Sequence, residues 1–431
     1  MILRDKLLKR KARVGVIGMG YVGLPEAVAM ALAGFRVTGI DVNEDKVKKI
    51  NRGVSYIPDV EKQDMAEVVR KKMLHATADP GVIRNLDVIC ICVPTPFNVY
   101  KEPDLSYVVS AINMVKDNFR KGQLVILEST TYPGTTREEL LPVLGKGGFK
   151  AGKDFYLAFS PERVDPGNKE YSITNTPKLV GGITAACTEL SRIFYSQFIT
   201  RVIAVSSPEI AEMSKLLENI FRNVNIALVN ELMLLCDRMK IDVWEVVEAA
   251  KTKPFGFMSF KPGPGVGGHC IPVDPVYLSW KAREYDFGTR FIELAAETNS
   301  NMPYYVVSKI LNLLRGKKSG QGKVLMLGAA FKEDIGDSRN SPALKLIELM
   351  EKEDVNVFYN DPHVSVLKIN GKIFKSRRLT PQLCREMDCV VILTDHSDYD
   401  YEWIARNSKL ILDTRNATKN LKKYRKKIRK I

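Results

Sequence analysis

"ARVGVIGMGYVGLPEAVAMALAGFRVTGIDVNEDKV", residues 12–47, decides how the rest of the chain reads. A β-branched run, Val14 to Ile17, leads into Gly18-Met19-Gly20-Tyr21-Val22-Gly23, and a helical pattern through Ala27, Met30 and Ala31 follows. After Gly34 a second strand, Val37 to Ile40, ends on Asp41. GxGxxG alone is a weak signal, but between a strand and a helix, with an acid about 20 residues on, it marks a dinucleotide-binding turn. Gly18 permits the tight turn, Gly20 lets the backbone approach a pyrophosphate at the helix N-terminus, and Gly23 brings helix and strand close. Asp41 is placed to accept hydrogen bonds from a ribose diol and to repel a 2′-phosphate, so NAD is expected rather than NADP.

Outward from this unit the alternation continues. Strands are expected at "LDVICICVP" (86–94) and "QLVILEST" (123–130), with helical patterns around 60–74 and 105–119. That is a parallel doubly wound sheet, to which "DFYLAFSPERV" (154–164) and "RVIAVS" (201–206) add strands on the far side. From Pro208 to about Lys240 apolar residues recur at helical spacing without Gly or an internal Pro, predicting a central spine helix of the kind that doubles as a subunit interface. A Gly/Pro-rich stretch at 254–275 precedes helical sequence from about 276 to 314, and "LLRGKKSGQGKV" (313–324) is expected to be a linker. A second α/β unit then follows, with strands at "KVLMLGAAF", "VNVFYND", "CVVILTD" and "LILDTR". Its first turn, Gly328-Ala329-Ala330-Phe331, lacks the second and third glycines, so a different ligand is expected there. The fold class is therefore α/β, two Rossmann-like doubly wound domains joined by a long helix.

Composition excludes several classes. The net charge of +15 suggests nucleic acid, but residues 1–13 carry six cations against one acid and residues 417–431 carry eight with none. The body between is nearly neutral, so the ends are expected to be solvated or anion-touching tails, and no nucleic-acid partner is expected. No apolar run approaches a membrane span, and the start lacks the apolar core of a secretory signal, so a cytoplasmic protein is expected. Seven scattered Cys without a CxxC pair argue against disulfides and a zinc ribbon, and Cys90 and Cys92 read as core residues. The four His, at 75, 269, 363 and 396, lack metal-ligand spacing, and no metal is expected.

What reacts beside the nicotinamide is best sought in "PGPGVGGHCIPVDP", residues 262–275. A Cys just beyond two glycines, in a loop stiffened by four prolines, is poorly suited to core packing and suits close approach by a ligand. A thiol near NAD has a specific use. It adds to an aldehyde, the thiohemiacetal loses a second hydride to give a thioester, and water releases a carboxylate. Two rivals stand beside this: an ordinary two-electron dehydrogenase with Cys270 a bystander, and a binding or regulatory protein with a degenerate site.

At this point the chain resembles the UDP-glucose/GDP-mannose dehydrogenase family of nucleotide-sugar 6-dehydrogenases. The matching motifs are "GMGYVGLP", "VPTP", "ESTTYPGTT", "SPERVDPG", "EMSKLLEN", "PGPGVGGHCIPVDP" and "AFKEDIGDSRNSPAL", all in family order. The resemblance implies oxidation of C6 of a nucleotide sugar to a uronate with two NAD, through a thioester on Cys270. It implies that Lys215 and Asn219, four apart on the spine helix, hold the oxyanion formed at C6. Asp274 is implied to orient or activate water, and Glu162 and Thr130 to work with a water in proton transfer and hydrolysis. Gly18, Gly20, Tyr21, Val22, Gly23, Asp41, Thr95 and Thr130 fall in the cofactor motifs. Glu162, Arg163, Lys215, Asn219, Gly263, Gly267, Lys332 and Arg339 fall on the substrate side, with Lys332 and Arg339 reaching the nucleotide sugar from the C-terminal domain. The bland alternatives are local ones: Asn219 could bond nearby backbone, Asp274 could form the turn before Pro275, and Lys332 and Arg339 could be surface cations.

The implied domains are an NAD-binding Rossmann domain (1–206), a central helical region for dimerisation and the catalytic loop (207–315), and a C-terminal Rossmann-like UDP-sugar domain (316–431). A homodimer is expected. There are two departures from the family pattern: Glu26 stands after "GLP" where an apolar or small residue is usual, and His269 stands where UDP-glucose enzymes have Ser. "GGHCIPVDP" resembles the branch acting on UDP-N-acetyl-D-mannosamine or UDP-N-acetyl-D-glucosamine, with UDP-glucose or GDP-mannose as the alternatives. No residue reports the C2 epimer.

Overall fold

The computed structural model describes residues 2–431 except 99, 101, 166, 169 and 317–321. The chain forms two compact units, Met1–Glu218 with Val276–Phe287, and Asn219–Pro275 with Gly288–Ile431. Each is built on its own sheet. The expected linker falls largely on 317–321, outside the described residues.

The first unit holds β1 (Arg13–Ile17), β2 (Arg36–Ile40), β3 (Leu74–Thr77), β4 (Val88–Ile91), β5 (Leu124–Leu127), β6 (Tyr156–Phe159), β7 (Lys178–Gly182) and β8 (Val202–Val205). Their order, β3-β2-β1-β4-β5-β6-β7-β8, begins with the 3-2-1-4-5-6 order of a doubly wound dinucleotide fold. Strands β4 and β5 are buried throughout, which is why they read as continuous apolar runs rather than alternating ones. Cys90 belongs to that core at 0% exposure.

Two details differ from the sequence expectation. The helix expected over 60–74 ends at Arg70, and β3 follows it. The sheet is also not wholly parallel, since β7 pairs antiparallel to β6. Its sequence "KLVGG" hid it because its two glycines serve packing, not strand propensity. A Cβ on Gly181 would fall 2.2 Å from Ser207 O, and one on Gly182 2.4 Å from Thr188 N.

The second unit carries β9 (Lys323–Leu327), β10 (Asn356–Asn360), β13 (Cys389–Ile392), β14 (Ile411–Asp413) and β15 (Ile428–Lys430), ordered β10-β9-β13-β14-β15, all parallel. A hairpin of β11 (Val366–Ile369) and β12 (Lys372–Lys375) stands apart from that sheet. The spine helix, Pro208–Met239, runs 32 residues and continues from the first unit into the second. The helical stretch expected over 276–314 is broken into Asp274–Ala282 and Arg290–Leu313, with Asp286 left-handed at φ 53° between them.

Neither basic end is a solvated tail. A short helix, Leu3–Leu8, buries Leu3 and Leu7, and Lys6 pairs with Asp87 at 2.8 Å. The C-terminal cations lie on and around β15, an edge strand, where like charges oppose pairing with another sheet. Ile431 is buried, and its carbonyl accepts from Trp244 Nε1 at 2.8 Å.

Candidate active site

The glycine turn has one physical reason per glycine. Gly18 has φ 92°, and a Cβ there would lie 2.6 Å from Cys92 O. One on Gly23 would lie 2.0 Å from Gly18 O, so helix and strand meet closer than any side chain permits. A Cβ on Gly20 would meet nothing within 4 Å, leaving its backbone open to a ligand. That open face, at the start of the helix Gly23–Leu32, fits the pyrophosphate of NAD. Asp41 accepts from Met19 N–H at 2.9 Å, from Asn43 N–H at 2.9 Å and from Lys46 Nζ at 3.1 Å, so it also ties the turn to the end of β2. Tyr21 is exposed, Val22 caps the helix, and Thr95 and Thr130 lie half-buried beyond β4 and β5. The last two loops are joined by Ser129 Oγ donating to Val93 O at 2.7 Å.

The second unit shows why the missing glycines matter. Asp361, at the end of β10, is the counterpart of Asp41, but its Oδ2 accepts from Ala329 and Ala330 N–H and from His396 Nε2. Its Oδ1 accepts from His363 and Val364 N–H. Although burial pushes up, the His396 bond and the two amides hold the carboxyl down at about 2. No lone pair is left for a ribose.

The Cys270 loop is fixed from three sides within the second unit. Gly268 N–H donates to Arg339 O at 3.0 Å, Asn340 Nδ2 to Gly268 O at 3.0 Å, and Asn223 Nδ2 to Ile271 O at 3.1 Å. Val273 and Asp274 N–H both donate to Cys270 O, so Cys270 sits one turn before the helix Asp274–Ala282. Cys270 is the exposed thiol of the chain, and the other six are buried. The glycines around it serve the fold. A Cβ on Gly263 would fall 2.7 Å from Arg415 Nη1, and one on Gly267 would fall 2.7 Å from Phe331 Cβ. Gly268, at φ 88°, faces the Phe331 ring. The room these glycines make is thus taken by Arg415 and Phe331.

Asn219 and Asp274, 55 residues apart, are brought together: Asn219 Nδ2 donates to Asp274 Oδ2 at 2.6 Å, both groups buried. Asn219 therefore bonds no local backbone, and Asp274 does more than form a turn. A chain of amides extends from there. Asn299 Nδ2 donates to Asn223 O, Asn230 Nδ2 to Asn299 Oδ1, and Gly263 N–H to Asn230 Oδ1, each at 2.9 Å. Asn223, Asn230 and Asn299 escaped the sequence argument, yet Asn at 219, 223 and 230 on one helix face was a readable signal.

In the first unit Lys215 is buried at 8% exposure, with no hydrogen bond or ion pair among the described residues. A buried ammonium without a partner is costly unless a ligand or water supplies acceptors. Glu162 is held by its own loop, Oε1 accepting from Arg163 N–H at 2.8 Å and Val164 N–H at 2.6 Å. Arg163 pairs with Glu218 at 2.7 Å. Glu26, the unexpected acid, lies wholly inside, against Lys178 at 2.5 Å. Burial, then the neighbouring Glu128, pushes its carboxyl well above the usual range. Lys178 and Glu128 were missed because "KLVGG" carries no strand signal and "LVILE" reads as a strand alone.

Elsewhere in the second unit, Arg339 grips Asp337 through Nε and Nη2 at 2.6–3.1 Å. Partial desolvation, then the Arg339 cation, pushes the His269 ring below its usual range. Lys332 and Arg415 line one small cleft with Phe331, Pro264 and Ser341, and Arg415 pairs with Asp395 at 3.0 Å. Arg415 was not singled out in the sequence, where "LDTR" reads as a strand end. Among the described residues no helix is long and apolar enough to cross a membrane.

Comparison with known proteins identifies the family. Residues 12–199 match the NAD-binding domain of the UDP-glucose/GDP-mannose dehydrogenase family, 209–301 its central domain and 325–420 its UDP-binding domain. The chain is 36% identical to UDP-N-acetyl-D-mannosamine dehydrogenase of Pyrococcus horikoshii, over 94% of this chain and 96% of that protein. It is 37% identical to UDP-N-acetyl-D-glucosamine 6-dehydrogenase of Pseudomonas aeruginosa, over 82% of this chain and 83% of that one. The solved UDP-N-acetyl-mannosamine dehydrogenase Cap5O of Staphylococcus aureus superimposes with a TM-score of 0.81 at 34% identity, covering 94% and 95% of the two chains. The chain belongs to the UDP-glucose/GDP-mannose dehydrogenase family.

Proposed function

We propose that the chain oxidises C6 of a UDP-N-acetylhexosamine, of the manno or gluco configuration, to the uronate in four electrons. The observation that carries this is Cys270: an exposed thiol on a loop tied down at Gly268 and Ile271, one turn before Asp274. The names of the relatives support the substrate class, and His269 supports the N-acetylhexosamine branch.

Gly18, Gly20, Tyr21, Val22, Gly23, Asp41, Thr95 and Thr130 would hold NAD, and two NAD bound in turn would each supply the hydride acceptor for one oxidation. The chain does the rest. Lys215 and Asn219 stabilise the oxygen of C6 as it gains charge. Cys270 Sγ adds to the aldehyde carbon, and after the second oxidation the sulfur carries a thioester. Water, oriented by Asp274 and Glu162 with Thr130, attacks that carbonyl. The C–S bond breaks and the thiol is restored. Arg163, Lys332 and Arg339 hold the nucleotide sugar and Arg415 joins them, while Gly263 and Gly267 let Arg415 and Phe331 pack against the Cys270 loop.

The central region, 207–315, also carries a homodimer interface. Leu217, Phe221, Leu228, Leu232, Leu235 and Met239 fall on one face of the spine helix and are 40–64% exposed. A cytoplasmic enzyme making uronate precursors for polysaccharide or glycan synthesis fits a chain that uses NAD and whose cysteines form no disulfide. The test is turnover against UDP-N-acetylmannosamine, UDP-N-acetylglucosamine, UDP-glucose and GDP-mannose with NAD. Activity confined to the first two is expected, and turnover of UDP-glucose or GDP-mannose alone contradicts the proposal.

A further inference from the structure

Beneath the carboxyl edge of the first unit's sheet lies a cluster of charges of which the chemistry above uses only Glu162. Lys178 opens β7. Because β7 runs antiparallel to β6, with Phe159 opposite Gly181, its first residue lies at the edge where the parallel strands end. Continued through Ser160 Oγ, which donates to Leu179 O at 2.8 Å, the pairing brings Glu162 beside Lys178. The ammonium contacts Glu26 Oε1 at 2.5 Å, Glu128 Oε2 at 2.8 Å and Glu162 Oε2 at 3.4 Å. It also lies 5.1 Å from the ring of Tyr195, whose hydroxyl donates to Glu128 Oε1 at 2.8 Å. The thiols of Cys90 and Cys92 complete the surroundings, both held protonated by burial and then by Glu128.

Three carboxyl groups around one cation leave a charge imbalance that a buried site cannot carry. Glu26 resolves part of it by keeping its proton. Glu128, despite burial, is held below the usual range by Lys178 and by hydrogen bonds from Glu26, Lys178 and Tyr195. Glu162 alone of the three reaches toward solvent, at 16% side-chain exposure, and its Oε1 is already fixed by two amides. Lys178 is the one contact to its Oε2 among the described residues.

We propose that Lys178 is a positioning residue for thioester hydrolysis: it holds the second oxygen of Glu162, and Glu26, taking the closest share of the ammonium, sets how firmly that oxygen is held. This rests on the proposed role of Glu162. In the step concerned, water oxygen bonds to the thioester carbon and the C–S bond breaks toward Cys270. Glu162 takes a proton from the water, and the carboxylate product leaves. Too weak a hold on Glu162 misplaces the base, and too strong a hold lowers its readiness to accept the proton.

The two sides of the pair are tested in opposite directions. Lys178→Met is expected to lower kcat about tenfold or more, with the first NADH burst unchanged and a thioester accumulating on Cys270 by intact mass. The acid limb of its kcat profile should move up by about one pH unit. Glu26→Met, close in volume, frees the ammonium for Glu162 and is expected to move that limb down. Wild-type profiles in both variants, or shifts in the same direction, overturn the proposal. Should Lys178→Met fail to fold, Glu26→Met decides alone: a downward shift supports it, and no shift or an upward one overturns it. Glu162→Gln separates the two levels. Without thioester accumulation in Glu162→Gln, the role of Glu162 itself falls. Accumulation there beside unaltered Lys178 and Glu26 variants overturns only the inference drawn from the cluster.

Discussion

Asn219 donates its side-chain amide to Asp274 at 2.6 Å, joining the spine helix to the residue four beyond the Cys270 thiol. The bond fixes which way each group faces, since an amide oriented by a carboxylate presents its own oxygen and second N–H in a set direction. Asn219→Ala is expected to lower kcat by roughly 10- to 100-fold with KM changed far less. Steady-state kinetics on the purified variant check this, and a rise in KM alone contradicts it.

Lys215 should behave as a charge kept for catalysis at some cost to the fold. Removing one group that stabilises a developing oxyanion costs about 100- to 1000-fold in kcat, and that range is expected for Lys215→Met. Because the ammonium has no partner among the described residues, the same variant should unfold at an equal or higher temperature. Thermal unfolding beside kinetics reads both. A marked loss of stability with kcat retained contradicts the assignment.

The glycine turn offers a matched pair. Gly20→Ala adds a methyl where nothing lies within 4 Å, so the protein should fold normally and lose NAD affinity. Gly23→Ala forces a methyl to 2.0 Å from a backbone oxygen and should fail to fold or melt far lower. Calorimetric titration with NAD, after circular dichroism of both variants, makes the comparison.

Asp361 predicts an acid dependence in the second unit. Its folded value, about 2, lies below its usual 3.8, so its contribution is fully present above pH 4 and is lost as pH falls toward 2. The shift corresponds to about 2 kcal/mol. Asp361→Asn should lose a similar amount at pH 7 and flatten the acid side of the stability profile in denaturant titrations.

Much of the fold was legible because its signals are local. Strand, glycine turn, helix and acid follow one another within residues 12–47, and β4 and β5 are apolar runs with one meaning. Strand β7 was not legible, since Gly181 and Gly182 answer to Ser207 and Thr188, neighbours the sequence does not reveal. The basic ends misled for a related reason: Leu3, Leu7 and Ile431 anchor them, and three apolar residues among many cations leave little pattern. Of the site, Cys270, Lys215 and Glu162 sit in motifs, whereas Lys178 and Arg415 do their work through partners distant in sequence. Glu26 was noticed as an oddity, and only its distance to Lys178 gave it meaning.

The dimer is tested on the spine helix. Leu228→Glu places a charge at a side chain 56% exposed in the single chain. Light scattering should find the unaltered protein at twice the chain mass and the variant at the mass of one chain. A monomeric parent contradicts the interface.

The central claim is that Cys270 carries one sugar through two oxidations. The most direct measurement is the number of NADH formed per UDP-N-acetylhexosamine consumed, with the sugar limiting. Two NADH and one uronate are expected for the unaltered enzyme, and no uronate for Cys270→Ala. One NADH with an aldehyde product, or uronate formed by Cys270→Ala, contradicts it.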